Sequence, residues 1–286
     1  MLWRGQRESG NVEDMRGMSG RGMALGGGGC GTLIIIILAL IFGVDPQQFL
    51  NSSPEQQQTA PQQQQQRSTN KQSDDDMSKF VRVVLASTED TWNEVLPKQG
   101  GTRYREPILQ LFTSRVNSAC GLASAATGPF YCPGDEKVYI DLAFYQELKT
   151  QFKAPGDFAQ AYVIAHEIGH HIQTILGTSA KVDAAQARAR TKAEANKYSV
   201  ALELQADCYA GVWGNYAQKK GMLESGDVEE GLRAAAAIGD DNIQSMSQGY
   251  VVPDSFTHGS SEQRVTWFKR GFQSGDMRQC NTFGGR

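Results

Sequence analysis

Three of the chain's four histidines fall within six positions, in "AHEIGHHIQ", Ala165 to Gln173. On a helix, residues four apart project from one face, one turn above the other. His166 and His170 therefore share a face, while His171 is turned about 100° away from His170. H-E-x-x-H on a helix is the zincin arrangement: two imidazoles coordinate Zn2+, and the intervening carboxylate, Glu167, polarises the metal's water and moves its proton. A hydrolytic zinc also needs a third protein ligand and an open position. Apart from His171 only His258 remains, so a carboxylate is expected there. "NKYSVALELQADCYAGVWGNYAQ" supplies Glu203 and Asp207, four apart on one face of a second helix. Glu203 is expected as the third ligand of one Zn2+ per chain, and Asp207 as the acceptor for the ring N–H of His166. The plainer reading of both acids, a solvated face, fits poorly because their neighbours are apolar or small. His171 is expected to be a bystander, packed or at the surface.

The elements that must position these groups are legible too. "PGDFAQAYVIAHEIGHHIQTILG" reads as a helix, with Asp157 and Gln160 forming a capping-box pattern and Gly177 as a left-handed stop. Ala161, Ile164, Ala165, Ile168, Ile172 and Ile175 make its buried stripe. Gly169 permits another segment to come close, and Ala206, Ala210, Gly211 and Gly214 suit the second helix to that approach. "EKVYIDLAFY" reads as a strand, either a core strand or an edge strand taking extended peptide backbone by strand addition. "GDVEEGLRAAAAIGDDNIQ" gives a further helix capped by Asp227 with Glu230, and offers no catalytic role for Asp240 or Asp241. In "DSFTHGSSEQRVTWFKRGF", Ser260 and Gln263 form a capping box. A lone histidine before a helix is commonly a turn residue, but His258 is also the best available donor to an oxyanion, with Arg264 and Tyr250 behind it. The extended metzincin motif is missing after His170.

Charge and composition bound the rest. A formal net charge of -3 with no basic stripe excludes a nucleic-acid binder. Residues 24–44, centred on "TLIIIILALIFGV", span about 31 Å as a helix, enough to cross a bilayer. Four arginines precede this stretch, and the next basic residue after it is Arg67. The positive-inside rule then predicts a single-pass inner-membrane anchor, with residues 1–23 cytoplasmic and everything after Val44 outside. A cleaved signal peptide is the rival, disfavoured by the lack of a small-x-small site after Phe42. Residues 45–77, rich in Gln, read as a disordered linker, and residues 78–286 as the globular domain. In an oxidising compartment Cys120 and Cys132 would close a short loop, worth about 3 kcal/mol by loop entropy. Cys208 and Cys280 would then pair by elimination, leaving Cys30 near the membrane.

Nearly end to end, the chain resembles the bacterial family of membrane-anchored putative neutral zinc metallopeptidases. The resemblance is carried by "WRGQRESGNVEDMRG", "CGLASAATGPFYCPGDEKVYIDLAF", "AHEIGHHIQ", "ELQADCYAGVW", "AIGDDNIQ" and "THGSSEQRVTWFKRGF". The metal elements are also similar to those of gluzincins, which implies zinc on His166, His170 and Glu203, a catalytic Glu167 and Asp207 behind the ligands. Gly259 stands where the gluzincin segment usually carries Pro. The expected fold is α+β, a mostly helical zincin-like domain with a small sheet, following the membrane helix and linker. The expected function is zinc-dependent peptide-bond hydrolysis by Glu-assisted attack of zinc-bound water on a peptide or protein, with cell-wall peptide as a variant substrate. The alternative is a zinc-stabilised envelope scaffold or adaptor with little hydrolytic activity. Neither substrate preference nor oligomeric state is encoded legibly.

Overall fold

A computed structural model describes residues 1–17 and 63–284. The elements in chain order are β1 (Val12–Asp14), α1 (Gln63–Val95), β2 (Ile108–Phe112), β3 (Arg115–Ser118), β4 (Gly121–Ser124), β5 (Phe130–Cys132), β6 (Lys137–Asp141), α2 (Ala143–Thr150), α3 (Asp157–Ile175), α4 (Thr178–Gln186), α5 (Lys192–Lys219), α6 (Asp227–Ala237), α7 (Asp240–Gln248) and α8 (Ser261–Ser274). Helix dominates and one small sheet accompanies it, as an α+β reading requires. The sheet order is β1-β2-β6-β5, with β1, β2 and β6 parallel and β5 antiparallel at the edge. β3 and β4 form a separate hairpin.

α3 runs through the centre. Its expected apolar stripe is buried from Ala161 to Ile172 and partly at Ile175, and Phe158, Ala159, Tyr162 and Val163 are buried too, so the helix is covered nearly all round. It packs against α1, α5, α6 and the sheet. α5 lies so close to α8 that a Cβ on Gly211 would stand 2.1 Å from the Phe268 carbonyl oxygen, and one on Gly271 1.9 Å from that of Cys208. Only glycine at both positions allows this crossing. Two disulfides, Cys120–Cys132 and Cys208–Cys280, join the expected partners. The second ties the C-terminal tail to α5.

Several expectations need correction. Residues 1–17 are not a segment apart from the domain. β1 hydrogen-bonds to β2, Trp3 stands edge-on to Phe80 at 5.5 Å, and Arg7 bridges to Glu89 and Asp90. The Met1 ammonium is buried among Asp157, Glu224 and Asp227, at 2.6, 3.2 and 3.3 Å. Residues 1–17 are thus joined to the domain by strand pairing, ring contact and ion pairs, and form part of its fold. The span at 24–44 lies outside the described residues. Among the described residues, no helix is long and apolar enough to cross a membrane.

The linker expectation of 45–77 is shortened, because residues 63–77 belong to α1. Propagating a helix costs little once its C-terminal half is anchored, and Gln and Lys are acceptable helix formers. Phe80, Val81, Val84, Leu85, Trp92 and Val95 provide that anchor. Of "EKVYIDLAFY", only Lys137–Asp141 form the strand, β6, while Ala143–Tyr145 open α2; β6 is the core strand of its two readings, paired on both sides, and β5 and β1 are the edges. Asp157 and Asp227 do not cap. Each is the first residue of its helix after a glycine, and each turns its carboxylate to the Met1 ammonium.

Candidate metal centre

His166, His170 and Glu203 come together as the sequence requires. His166 Nε2 lies 3.1 Å from Glu203 Oε2, and His170 Nε2 lies 3.5 Å from Glu203 Oε1. The two imidazoles stand perpendicular, with centroids 4.8 Å apart. One ligand atom from each of the three residues falls within 4.8 Å of the others. Ligands bonded at 2.0–2.1 Å in a tetrahedron are separated by about 3.3 Å, and the two histidine–glutamate gaps, one to each Glu203 oxygen, are of that scale. Two neutral imidazole nitrogens and a carboxylate are also the donor chemistry of a hydrolytic zinc site.

This convergence depends on the close crossing of α3 and α5. A Cβ on Gly169 would lie 2.9 Å from both Cα and the carbonyl oxygen of Ala206. Glycine between the two histidines therefore sets how near Glu203 can come. Asp207, one turn along α5, is fully buried and accepts from His166 Nδ1–H at 2.8 Å. This is the role expected of it.

Asp207 is held in turn by residues with no signal at the motif. Arg264 donates to it through Nε and Nη2, both at 2.9 Å, and the Tyr162 hydroxyl donates to Oδ1. Burial opposes the Asp207 charge, but Arg264 and His166 outweigh it and hold the carboxyl below its ordinary range. Arg264 therefore stands behind Asp207 and not behind His258, and Tyr250 is 61% exposed, away from any such support. Tyr162 lies one turn before His166, a spacing that could have drawn attention; Arg264 is distant in sequence and could not.

Burial likewise opposes charge on His166, yet Asp207 and Glu203 lift its pKa to about 10 when protein groups alone surround it. Glu203 falls well below the usual carboxylate range against the same opposition, through His170 and His166.

Glu167 is buried, and burial pushes its carboxyl up, with His170 and His166 pulling the other way. The backbone N–H of Tyr131 on the edge strand β5 adds a smaller pull in the same direction as the two histidines. His171, the expected bystander, is fully buried. Its Nε2–H donates to the Arg105 carbonyl at 2.6 Å, leaving Nδ1 to accept from the Tyr131 hydroxyl at 3.0 Å. It fastens the edge strand to the metal helix. His258 is held by Asp240, which accepts from its Nδ1–H at 3.1 Å and from the backbone N–H groups of Thr257, His258 and Gly259. Asp241 receives both the N–H and the hydroxyl of Ser261. The two aspartates that the sequence left without a role thus build the turn carrying His258. That histidine lies near enough to Glu203 for each charge to favour the other. The capping box of Ser260 and Gln263 is present.

The family model for putative neutral zinc metallopeptidases matches residues 1–283. The chain belongs to this family. Among curated relatives, this zinc metallopeptidase-family chain is 51% identical to the uncharacterized protein YpfJ of Escherichia coli (strain K12) over 293 residues, covering 99% of each. It is 40% identical over 260 residues to the uncharacterized protein Rv2575 of Mycobacterium tuberculosis (strain ATCC 25618 / H37Rv), covering 86% of this chain and 85% of that one. No solved structure matches.

Proposed function

We propose that the chain is a zinc-dependent peptidase. The observation that carries this reading is the meeting of ligand atoms of His166, His170 and Glu203 within 4.8 Å of one another, with the Glu167 carboxylate on the helix of the two histidines. Zinc, when bound, supplies Lewis-acid polarisation and lowers the pKa of water. His166 and His170 would hold it through Nε2, and Glu203 through its carboxylate. Glu167, with its carboxyl raised by burial, is tuned to accept a proton at its oxygen and return it to the leaving amine. β5 ends the sheet beside the helix that carries Glu167, which suits addition of an extended peptide as a further strand. His258, with its Nδ1–H committed to Asp240, presents a second donor, Nε2–H, to the oxyanion when the ring is protonated.

An extracytoplasmic location is part of the same proposal and rests on the two disulfides. The apolar composition of residues 24–44 supports attachment to the inner membrane. Residues 1–17, being strand-paired with the domain, accompany it on that side. Glu167→Gln tests the mechanism. It should retain one zinc per chain and lose peptide cleavage by about 100-fold or more. Undiminished hydrolysis in that variant would refute the role of Glu167.

A further inference from the structure

We infer that Gln173 is a positioning residue for the second histidine, fixing His170 with its Nε2 lone pair toward the metal, through a one-way relay of amides that begins at the disulfide-tethered C-terminal tail. This rests on the zinc reading above. The relay can be derived link by link from groups that can only accept or only donate. Cys280, bonded to Cys208, presents its carbonyl to Gln205 Nε2 at 2.9 Å. A carbonyl only accepts, so the Gln205 atom facing it is nitrogen, and Gln205 Oε1 points the other way. That oxygen meets Gln173 Nε2 at 3.3 Å.

The Leu202 carbonyl imposes the same polarity independently, from 2.6 Å. Gln173 therefore turns its Oε1 to His170 Nδ1, 2.9 Å away. An amide oxygen cannot donate, so the proton of a neutral His170 sits on Nδ1 and its lone pair on Nε2, the atom facing Glu203. Gln173 is fully buried and Gln205 is 7% exposed, so water does not compete for these bonds.

The two metal-facing histidines thus have different supports. His166 donates to the carboxylate of Asp207, whereas His170 donates to a neutral amide. Leu202, which anchors that amide, directly precedes Glu203, so the bond also ties α3 to α5 beside the third ligand. The disulfide fastens one end of the relay one residue after Asp207. Both outer supports consequently start from a single stretch of α5, residues 202–208.

The test compares full-length wild type with Gln173→Met, which keeps length and loses the acceptor. Zinc affinity is measured by chelator competition, and the His166 and His170 ring nitrogens are followed by 15N NMR. Gln173→Met should bind zinc about 10-fold or more weakly, as loss of a ligand-orienting bond does elsewhere. The His166 Nδ1–H signal should persist, which separates lost positioning from lost fold. In zinc-loaded wild type, His170 should carry its proton on Nδ1; this readout holds even should the variant not fold. Wild-type affinity in Gln173→Met, or a wild-type His170 bound to zinc through Nδ1, would overturn the relay alone. A wild-type chain that takes up no zinc would instead overturn the metal reading and the relay with it.

Discussion

At the scale of single residues, the chemistry is set by which atom each side chain leaves free. Asp207 and Gln173 take the outer nitrogens of His166 and His170, and both inner nitrogens turn to Glu203. His258 follows the same logic on the far side of Glu203. Burial alone would lower its pKa, but Asp240 and Glu203 raise it above the ordinary 6.5, with Arg264 opposing them. A raised histidine contributes stability that is complete below its unfolded pKa and disappears as pH climbs through the folded one. Asp240→Asn should therefore lower the His258 pKa toward 6.5, read by NMR titration, and move the alkaline loss of activity to lower pH. An unmoved titration would show that Asp240 only shapes the turn. The ligand set was legible because helical spacing alone places His166, His170, Glu203 and Asp207. Arg264, Asp240 and Gln173 were not, since their roles follow from contacts between segments up to 102 residues apart, as with Arg264 and Tyr162.

At the scale of elements, two helices must cross closely for three donor atoms to meet. Gly169 against Ala206 sets that distance, and Gly211 against Gly271 presses α8 onto the other flank of α5. Gly169→Val would drive a branched side chain into the Ala206 backbone. We expect a loss of about 1–3 kcal/mol in denaturant unfolding, as overpacking costs, together with weakened zinc binding. Unchanged stability and affinity would mean that the crossing is not tight. α3, α5 and α8 could be read from apolar spacing, the small-residue stripe and the capping box. Strand order could not, because β5 and β6 are both short and apolar. Which of them forms the edge depends on the parallel pairing of β6 with β2, a contact the local pattern does not encode. His171 shows the same limit: helical phase turned it away from the metal, but only the fold reveals that it pins the edge strand.

For the whole molecule, the main departure from the sequence reading lies at the N-terminus. Charge bias around residues 24–44 predicted that residues 1–23 and the domain would face opposite compartments. That rule weighs flanking arginines, yet Arg7 pairs with Glu89 and Asp90 of α1, and Arg16 pairs with Asp14. A cysteine placed at exposed Glu8 and another at exposed Glu262, with Cys30 replaced by Ser, should react alike with a membrane-impermeant maleimide in intact cells. One labelled and one protected would contradict the pairing of β1 with β2. The central claim, that His166, His170 and Glu203 form one metal site, is tested most directly by zinc content. Wild type and Glu203→Ala should be stripped with chelator, reloaded, and assayed for zinc per chain. The account requires about one zinc in wild type and far less than one in Glu203→Ala. A full equivalent of zinc in Glu203→Ala, or none in wild type, would contradict it.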